Sequence, residues 1–136
     1  MLYMLDTDIC SYIIRQRPAA VLDAMQAKAQ AGDDLYISAI TYAELRLGAE
    51  RSQSSRKYNK AITLFCERLD SIAPWDKSVA DEFAMVQSRL YKAGTPIGHN
   101  DAMIAAHARH IGAVLVTNNQ KHFSKVSKLK LDNWVV

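Results

Sequence analysis

Short apolar runs alternate along this chain with longer stretches whose apolar residues recur at helical spacing, which predicts strands and helices in turn. Leu2 to Leu5 predicts a first strand. Ile9 to Gln16 predicts a helix that stops before Pro18, and Pro18 can itself open the next helix, running to about Ala31. A turn at Gly32, Asp33 and Asp34 leads into a second strand, Leu35 to Ser38. Helices follow from about Ile40 to Glu50 and from about Ser55 to Leu69, and Ile72 and Ala73 form a short third strand before Pro74. Asp76 to Ala93 predicts a long amphipathic helix ended by Gly94. Asn100 or Asp101 opens a further helix to about Ile111, which Gly112 ends. Ala113 to Thr117 is the most strand-like run, and a last extended segment covers Leu129 to Val135.

Alternation of this kind places the chain in the α/β class, with right-handed crossovers and a mostly parallel sheet covered by helices. The strand ends at Asp6, Ser38 and Thr117 then lie along one edge, where open α/β sheets handle ligands. No repeat, low-complexity segment or Gly/Ser-rich linker divides the 136 residues, so they read as one domain, 1–136. The 49% apolar and 23% charged content excludes the disordered and fibrous classes. No run approaches the length that spans a bilayer, and no signal-like amino-terminal pattern is visible, so the expected location is the cytoplasm. Cys10 and Cys66 lie in helical segments without a CxxC pairing and read as small buried hydrophobes.

A net charge of +3 hides an asymmetry. Residues 1–101 carry 12 Lys and Arg against 13 acids, whereas residues 102–131 carry five bases and no acid. Arg109, Lys121, Lys125, Lys128 and Lys130 could therefore steer a polyanion, or simply form a solvated lysine-rich edge.

Three acids stand in unusual settings. Asp6 ends the first strand, in a position where either it or Asp8 could cap the following helix; Asp8, directly before Ile9, suits the cap better and leaves Asp6 free. Glu44 shares a helical face with Ile40, Leu47 and Gly48, so a partner is expected for it, either in a site or in a base such as Arg46. Asp101 shares its face with Ile104, Ala105 and Ala108; Asn100 can cap the helix equally well, which frees Asp101 to point inward. Three converging carboxylates repel one another and demand a cation, and an all-oxygen set suits Mg²⁺ or Mn²⁺ rather than zinc. His107 and His110 have no further His or Cys at matching spacing and read as surface residues.

The opening Met-Leu-Asp-Thr-Asp-Ile, the Ile-Thr-Tyr-Ala-Glu-Leu-Arg-Leu-Gly-Ala segment around Glu44, the block Pro-Ile-Gly-His-Asn-Asp-Ala-Met-Ile-Ala-Ala-His-Ala, and Leu-Val-Thr-Asn-Asn-Gln-Lys-His-Phe together resemble the PIN-domain ribonucleases, specifically the VapC toxins of bacterial VapBC toxin and antitoxin pairs. The resemblance spans nearly the whole chain. It implies an α/β/α sandwich whose acidic pocket binds Mg²⁺ or Mn²⁺ and cuts RNA, with tRNA the expected substrate class. Asp6, Glu44 and Asp101 match the family's acidic positions. Many members carry a fourth acid where this chain has Asn119, which supplies no charge for a second ion. Thr7 and Thr117 match the hydroxyl positions beside the acids, and Arg46 and Lys121 are candidate contacts to the RNA backbone. The resemblance also implies a homodimer and a VapB-type antitoxin that silences it.

Two other readings compete. A strand followed by Asp-x-Asp also describes a haloacid-dehalogenase-type phosphatase, with Asp6 as nucleophile and Asp8 as general acid, although the late strand ends in Asn118 and Asn119 where such an enzyme needs acids. A PIN-like RNA-binding module with a decayed site is the other.

Overall fold

The protein is described by a computed structural model over residues 1–135; Val136, the last residue of the expected domain, lies outside them. The elements follow in chain order: β1 (Leu2–Leu5), α1 (Thr7–Ile14), α2 (Ala19–Gln30), β2 (Asp34–Ser38), α3 (Ala39–Glu50), α4 (Ser55–Glu67), β3 (Ser71–Ala73), α5 (Lys77–Lys92), α6 (His99–Ile111), β4 (Val114–Val116), α7 (Gln120–Phe123) and β5 (Lys130–Asp132). The five strands form one sheet in the order β3-β2-β1-β4-β5, with every neighbouring pair parallel.

Strand side chains alternate between two apolar cores because the pleat has a period of two. Tyr3 and Leu5 of β1, Leu35 and Ile37 of β2, and Val114 and Val116 of β4 point to one face, where they meet Ile9, Cys10 and Ile13 of α1 together with Val21, Met25, Ile62 and Phe65. Met4 and Leu115 point to the other face, against Val86 and Leu90 of α5, Ile104 and Ala105 of α6, and Phe123. A sheet buried on both faces needs continuous apolar strands, which accounts for the unbroken Val-Leu-Val of β4. The result is the helix-covered parallel sheet expected from the alternation and the α/β/α sandwich that the resemblance implies.

Successive connections place β2 and β3 to one side of β1 and β4 and β5 to the other, so the chain reverses its direction of build between β1 and β4. The carboxyl ends of those two strands flank the crevice in which such sheets bind ligands. Leu5 is in register with Val116, and the Asp6 amide donates to the Val116 carbonyl at 3.0 Å, so Asp6 and Thr117 leave the sheet side by side.

Several boundaries differ from expectation for local reasons. α1 begins at Thr7, two residues early, because Asp6 and not Asp8 supplies the cap. α6 begins at His99 and needs neither Asn100 nor Asp101 as its cap; Gly98 occupies that position. The short helix α7 lies in a stretch too brief to carry a period, and strand pairing in the last segment is confined to Lys130–Asp132. Gly112 ends α6 in the left-handed region, at φ 73°, a conformation that costs a residue without Cβ little. Cys10 is buried as expected, whereas Cys66 is only partly so. Among the described residues no helix is long and apolar enough to cross a membrane.

Candidate active site

Asp6 is nearly buried, at 5% exposure, and one carboxylate oxygen accepts from the Ile9 amide at 2.9 Å. It therefore caps α1 while standing at the switch point, which corrects the assignment of that cap to Asp8. Asp8 sits in the first helical turn, exposed to solvent. Burial pushes the Asp6 carboxyl up to about 6; the Thr117 hydroxyl and the Ile9 amide pull it down, and the charges of Asp8 and Asp101 push it further up. Thr117 is itself fully buried, and its hydroxyl accepts from the Asn119 amide at 3.0 Å, shaping the turn out of β4.

Glu44 reaches the same crevice from α3. The face of α3 that packs inward carries Thr41, Leu45 and Ala49, four residues apart, so the face expected to bury Glu44 does not: Leu47 is 59% exposed and Gly48 is also open. Glu44 lies at the edge of the packed face, and neutral donors hold both its oxygens. The Thr7 hydroxyl donates to one at 2.7 Å and the Asn100 amide donates to the other at 3.1 Å. Elements α1 and α6 thus meet at a carboxylate from α3. Asn100 was legible only as a possible cap, and nothing in the sequence separates that role from a bond across 56 residues.

Asp101, in the first turn of α6, is about half exposed. Desolvation raises its carboxyl, as do the charges of Glu44 and Asp8, while His122 at 3.3 Å works in the opposite direction. The charge of Asp101 thus reaches Asp6, and the charge of Glu44 reaches Asp101. The three acids do not form a closed cage, since among the described residues no three His, Cys, Asp or Glu side chains stand close enough together to enclose an ion. Neither Asp6 nor Glu44 takes part in an ion pair among the described residues. Buried or half-buried acids with no protein cation beside them fit a Mg²⁺ or Mn²⁺ ion, which takes a few carboxylates and fills its remaining positions with waters and substrate oxygens.

The two expected RNA contacts differ in availability. Arg46 donates from Nε to the Tyr42 hydroxyl at 2.9 Å, from one terminal nitrogen to the Asn59 carbonyl and side chain, each at 2.9 Å, and from the other to the Thr63 hydroxyl at 3.0 Å. Its guanidinium is thus a clamp between α3 and α4 rather than a free rim charge. Lys121 is exposed on α7, directly beside the His122 that faces Asp101. In the basic stretch, Arg109 is committed to Glu82 and to the Ser127 carbonyl, which leaves the exposed lysines as its free charges.

His107, expected at the surface, is 1% exposed. Its Nδ1 lies 2.8 Å from the Ser38 hydroxyl, and its ring meets Trp75 edge-on at 5.7 Å. Ser38 caps α3 by accepting from the Ile40 amide, so this bond ties the helix carrying Asp101 to the start of the helix carrying Glu44. The ring is masked in the sequence because α6 is buried nearly all round over Ala102 to Ala108 and shows no single apolar stripe. Burial holds its pKa below the usual histidine range, with the nearby His110 adding to the effect.

Next to the acids, a cleft of about 490 Å³ runs between α1, α3 and α4. It opens at Thr7, Asp8 and Glu44 and continues over Ile14, Leu45 and Ile62. Its lining does not extend to Asp6 or Asp101, so the cleft adjoins the acidic crevice without being the same space.

Residues 3–129 match the PIN domain family profile. The chain belongs to the PIN-domain family. It is 40% identical over 133 residues to ribonuclease VapC2 of Haemophilus influenzae, covering 98% of both chains. It is 35% identical over 132 residues to the tRNA(fMet)-specific endonuclease VapC of Shigella flexneri, covering 97% of both. Among solved structures, a VapBC2 complex from Rickettsia felis bound to a promoter DNA fragment contains a chain that superposes with a TM-score of 0.92 at 34% identity, over 98% of this chain and 99% of that one. PIN-domain membership also removes the haloacid-dehalogenase reading, consistent with Asp8 facing solvent on α1 while Asp6 serves as a cap.

Proposed function

We propose that this PIN domain is the VapC-type toxin of a toxin and antitoxin pair, a metal-dependent endoribonuclease acting as one domain in the cytoplasm. The observation that carries the reading is the buried Asp6 at the carboxyl end of β1, beside β4, with the charge of Asp101 acting on it and with no ion-pair partner for Asp6 or Glu44 among the described residues. Full-length similarity to ribonucleases supports the same activity.

In this reading Asp6, Glu44 and Asp101 would hold a Mg²⁺ or Mn²⁺ ion. The bound ion would lower the pKa of a water and polarise a phosphoryl oxygen, so that an RNA phosphodiester is hydrolysed in line. The protein's own part is positional. Thr7 and Asn100 keep the Glu44 carboxylate turned toward the crevice, and the Ile9 amide and Thr117 orient Asp6. Lys121 takes a backbone phosphate at the rim, and Asn119 holds a water or a ligand through its amide. tRNA is the substrate class, by likeness to the Shigella flexneri enzyme. A VapB-type antitoxin is the regulatory partner, consistent with the complex formed by the Rickettsia felis neighbour. The homodimer implied by the family likeness belongs to the same proposal.

The test is cleavage of total tRNA by purified protein with Mg²⁺ or with a chelator, followed by mapping of the new 5′ ends. Cleavage at one discrete position that disappears with the chelator and in Asp6→Asn and Asp101→Asn is expected. Cleavage persisting unchanged in those variants would falsify the assignment of the site.

A further inference from the structure

One polar side chain is buried on the apolar face that α5 turns toward α6. Gln87 is 4% exposed beside Val86 and Leu90, and its side-chain amide donates to the Ile97 carbonyl at 2.6 Å. We propose that Gln87 is a positioning residue of the active site, holding the loop before α6 so that Asn100 and Asp101 stand in the crevice. The proposal rests on the reading of that crevice as the centre of a ribonuclease.

Three observations support it. First, the loop between α5 and α6 is otherwise tied only at its beginning. The Gly94 amide donates to the Tyr91 carbonyl at 3.0 Å and the Thr95 amide to the Leu90 carbonyl at 2.8 Å, which fixes the exit from α5. Among the described residues no side chain other than Gln87 bonds to the backbone of residues 95–98. The amide therefore acts where the chain turns into α6.

Second, α6 lacks the usual device that fixes a helix start. Gly98 holds the cap position, so no side-chain oxygen accepts from the first free amides of the helix. His99 and Asn100 are exposed and Asp101 is about half exposed, whereas complete burial begins at Ala102. The first turn thus projects beyond the packed part of α6, and its direction depends on the segment that enters it. Ile97 is the residue directly before the cap. A small shift there would stretch the 3.1 Å bond from Asn100 to Glu44 and carry Asp101 with it.

Third, the grip is costly. Gln87 Oε1 is buried without a hydrogen-bond partner among the described residues, and a buried unpaired carbonyl is unfavourable. An apolar side chain of the same length would fill the space without that cost. Local rules of stability are broken chiefly where a site gains by it, and the loop held here leads straight to two residues of the site.

The competing role is structural, with Gln87 only filling the space between α5 and α6. Gln87→Met keeps the length and removes the donor; it exchanges one unpaired acceptor, Oε1, for another, the Ile97 carbonyl, so the urea midpoint should change little. Initial rates of tRNA cleavage by the full chain are measured over a tRNA series at saturating Mg²⁺. The variant should lower kcat by about tenfold or more and change KM by less than about threefold, because misplaced catalytic groups slow the chemistry more than they weaken RNA binding. Hydrogen exchange read by mass spectrometry should become faster over residues 95–103 and stay unchanged over the first half of α5. An unchanged kcat, or unchanged exchange over residues 95–103, overturns the proposal and leaves the ribonuclease reading standing. A lower urea midpoint with faster exchange along all of α5, or failure of both Gln87→Met and Gln87→Leu to fold, makes Gln87 a core residue and overturns it equally. If the natural protein cuts no RNA, the ribonuclease reading fails and this proposal fails with it.

Discussion

Asp6→Asn separates the structural duty of this residue from its electrostatic one. Burial raises the carboxyl from its ordinary 3.8 to about 6, so keeping it ionised in the folded, metal-free protein costs about 3 kcal/mol at neutral pH. Asn caps helices about as well as Asp, so the bond from the Ile9 amide survives the change. Loss of a negative charge at the amino end of α1 removes about 0.3–1 kcal/mol of favourable dipole interaction. The variant is therefore expected to be more stable than the natural protein by about 2 kcal/mol at neutral pH in the presence of a chelator.

The sign of the pH dependence follows from proton linkage. Between the unfolded value near 3.8 and the folded value near 6, the folded state binds more proton than the unfolded state, so the contribution of Asp6 is fully present below 3.8 and lost as pH rises through about 6. Urea unfolding curves collected from about pH 3 to 8 should show the two proteins close together at the acid end, separating as pH rises through the interval from about 3.8 to about 6, and keeping a constant separation above it. Saturating Mg²⁺ should then stabilise the natural protein and leave Asp6→Asn unmoved, because only the former gains binding energy on folding. A variant that is no more stable than the natural protein at neutral pH, or one that follows the same pH slope, would refute this account of the site.

Three further outcomes follow from particular contacts. Arg46→Ala, which removes three hydrogen bonds from α3 to α4 and one within α3, should lower stability by about 1–3 kcal/mol in urea unfolding, while RNA binding at fixed salt changes little. Ser38→Ala removes the cap of α3 and the partner of a buried imidazole, so a loss of about 2–4 kcal/mol by thermal or urea unfolding is expected, and retention of full stability would contradict the link between α3 and α6. Lys121→Ala should weaken binding to unrelated RNAs alike and reduce the dependence of log affinity on log salt by about one, as read by fluorescence anisotropy over a salt series.

Much of the architecture was legible because it depends on periodicity. The apolar runs of β1, β2 and β4 and the helical spacing between them require a covered parallel sheet, and a parallel sheet brings the ends of separate strands to one edge. Asp6 and Thr117 could be placed at such an edge from position alone. α7 escaped because four residues cannot display a helical period, and the inward face of α3 was misjudged because its apolar residues occupy two overlapping stripes.

The finer assignments depend on directions that one-dimensional spacing does not encode. Asp6 and Asp8 are equivalent caps until the strand end fixes which carboxylate lies across from the Ile9 amide. Arg46 reads as a free cation until α4 folds back to present Asn59 and Thr63 to it. His107 reads as surface until α6 is covered on most sides, and His122 acquires significance only where the turn after β4 sets it against Asp101. The amino-acid sequence by itself determined the strands and the longer helices, because burial of apolar side chains is repeated many times along each element and tolerates little ambiguity, and it offered Asp6, Glu44 and Asp101 as candidates. Tertiary structure alone decided which polar groups hold those acids, because a hydrogen bond requires one donor and one acceptor in one geometry, and residues far apart in the chain meet that condition only after the sheet has closed them together.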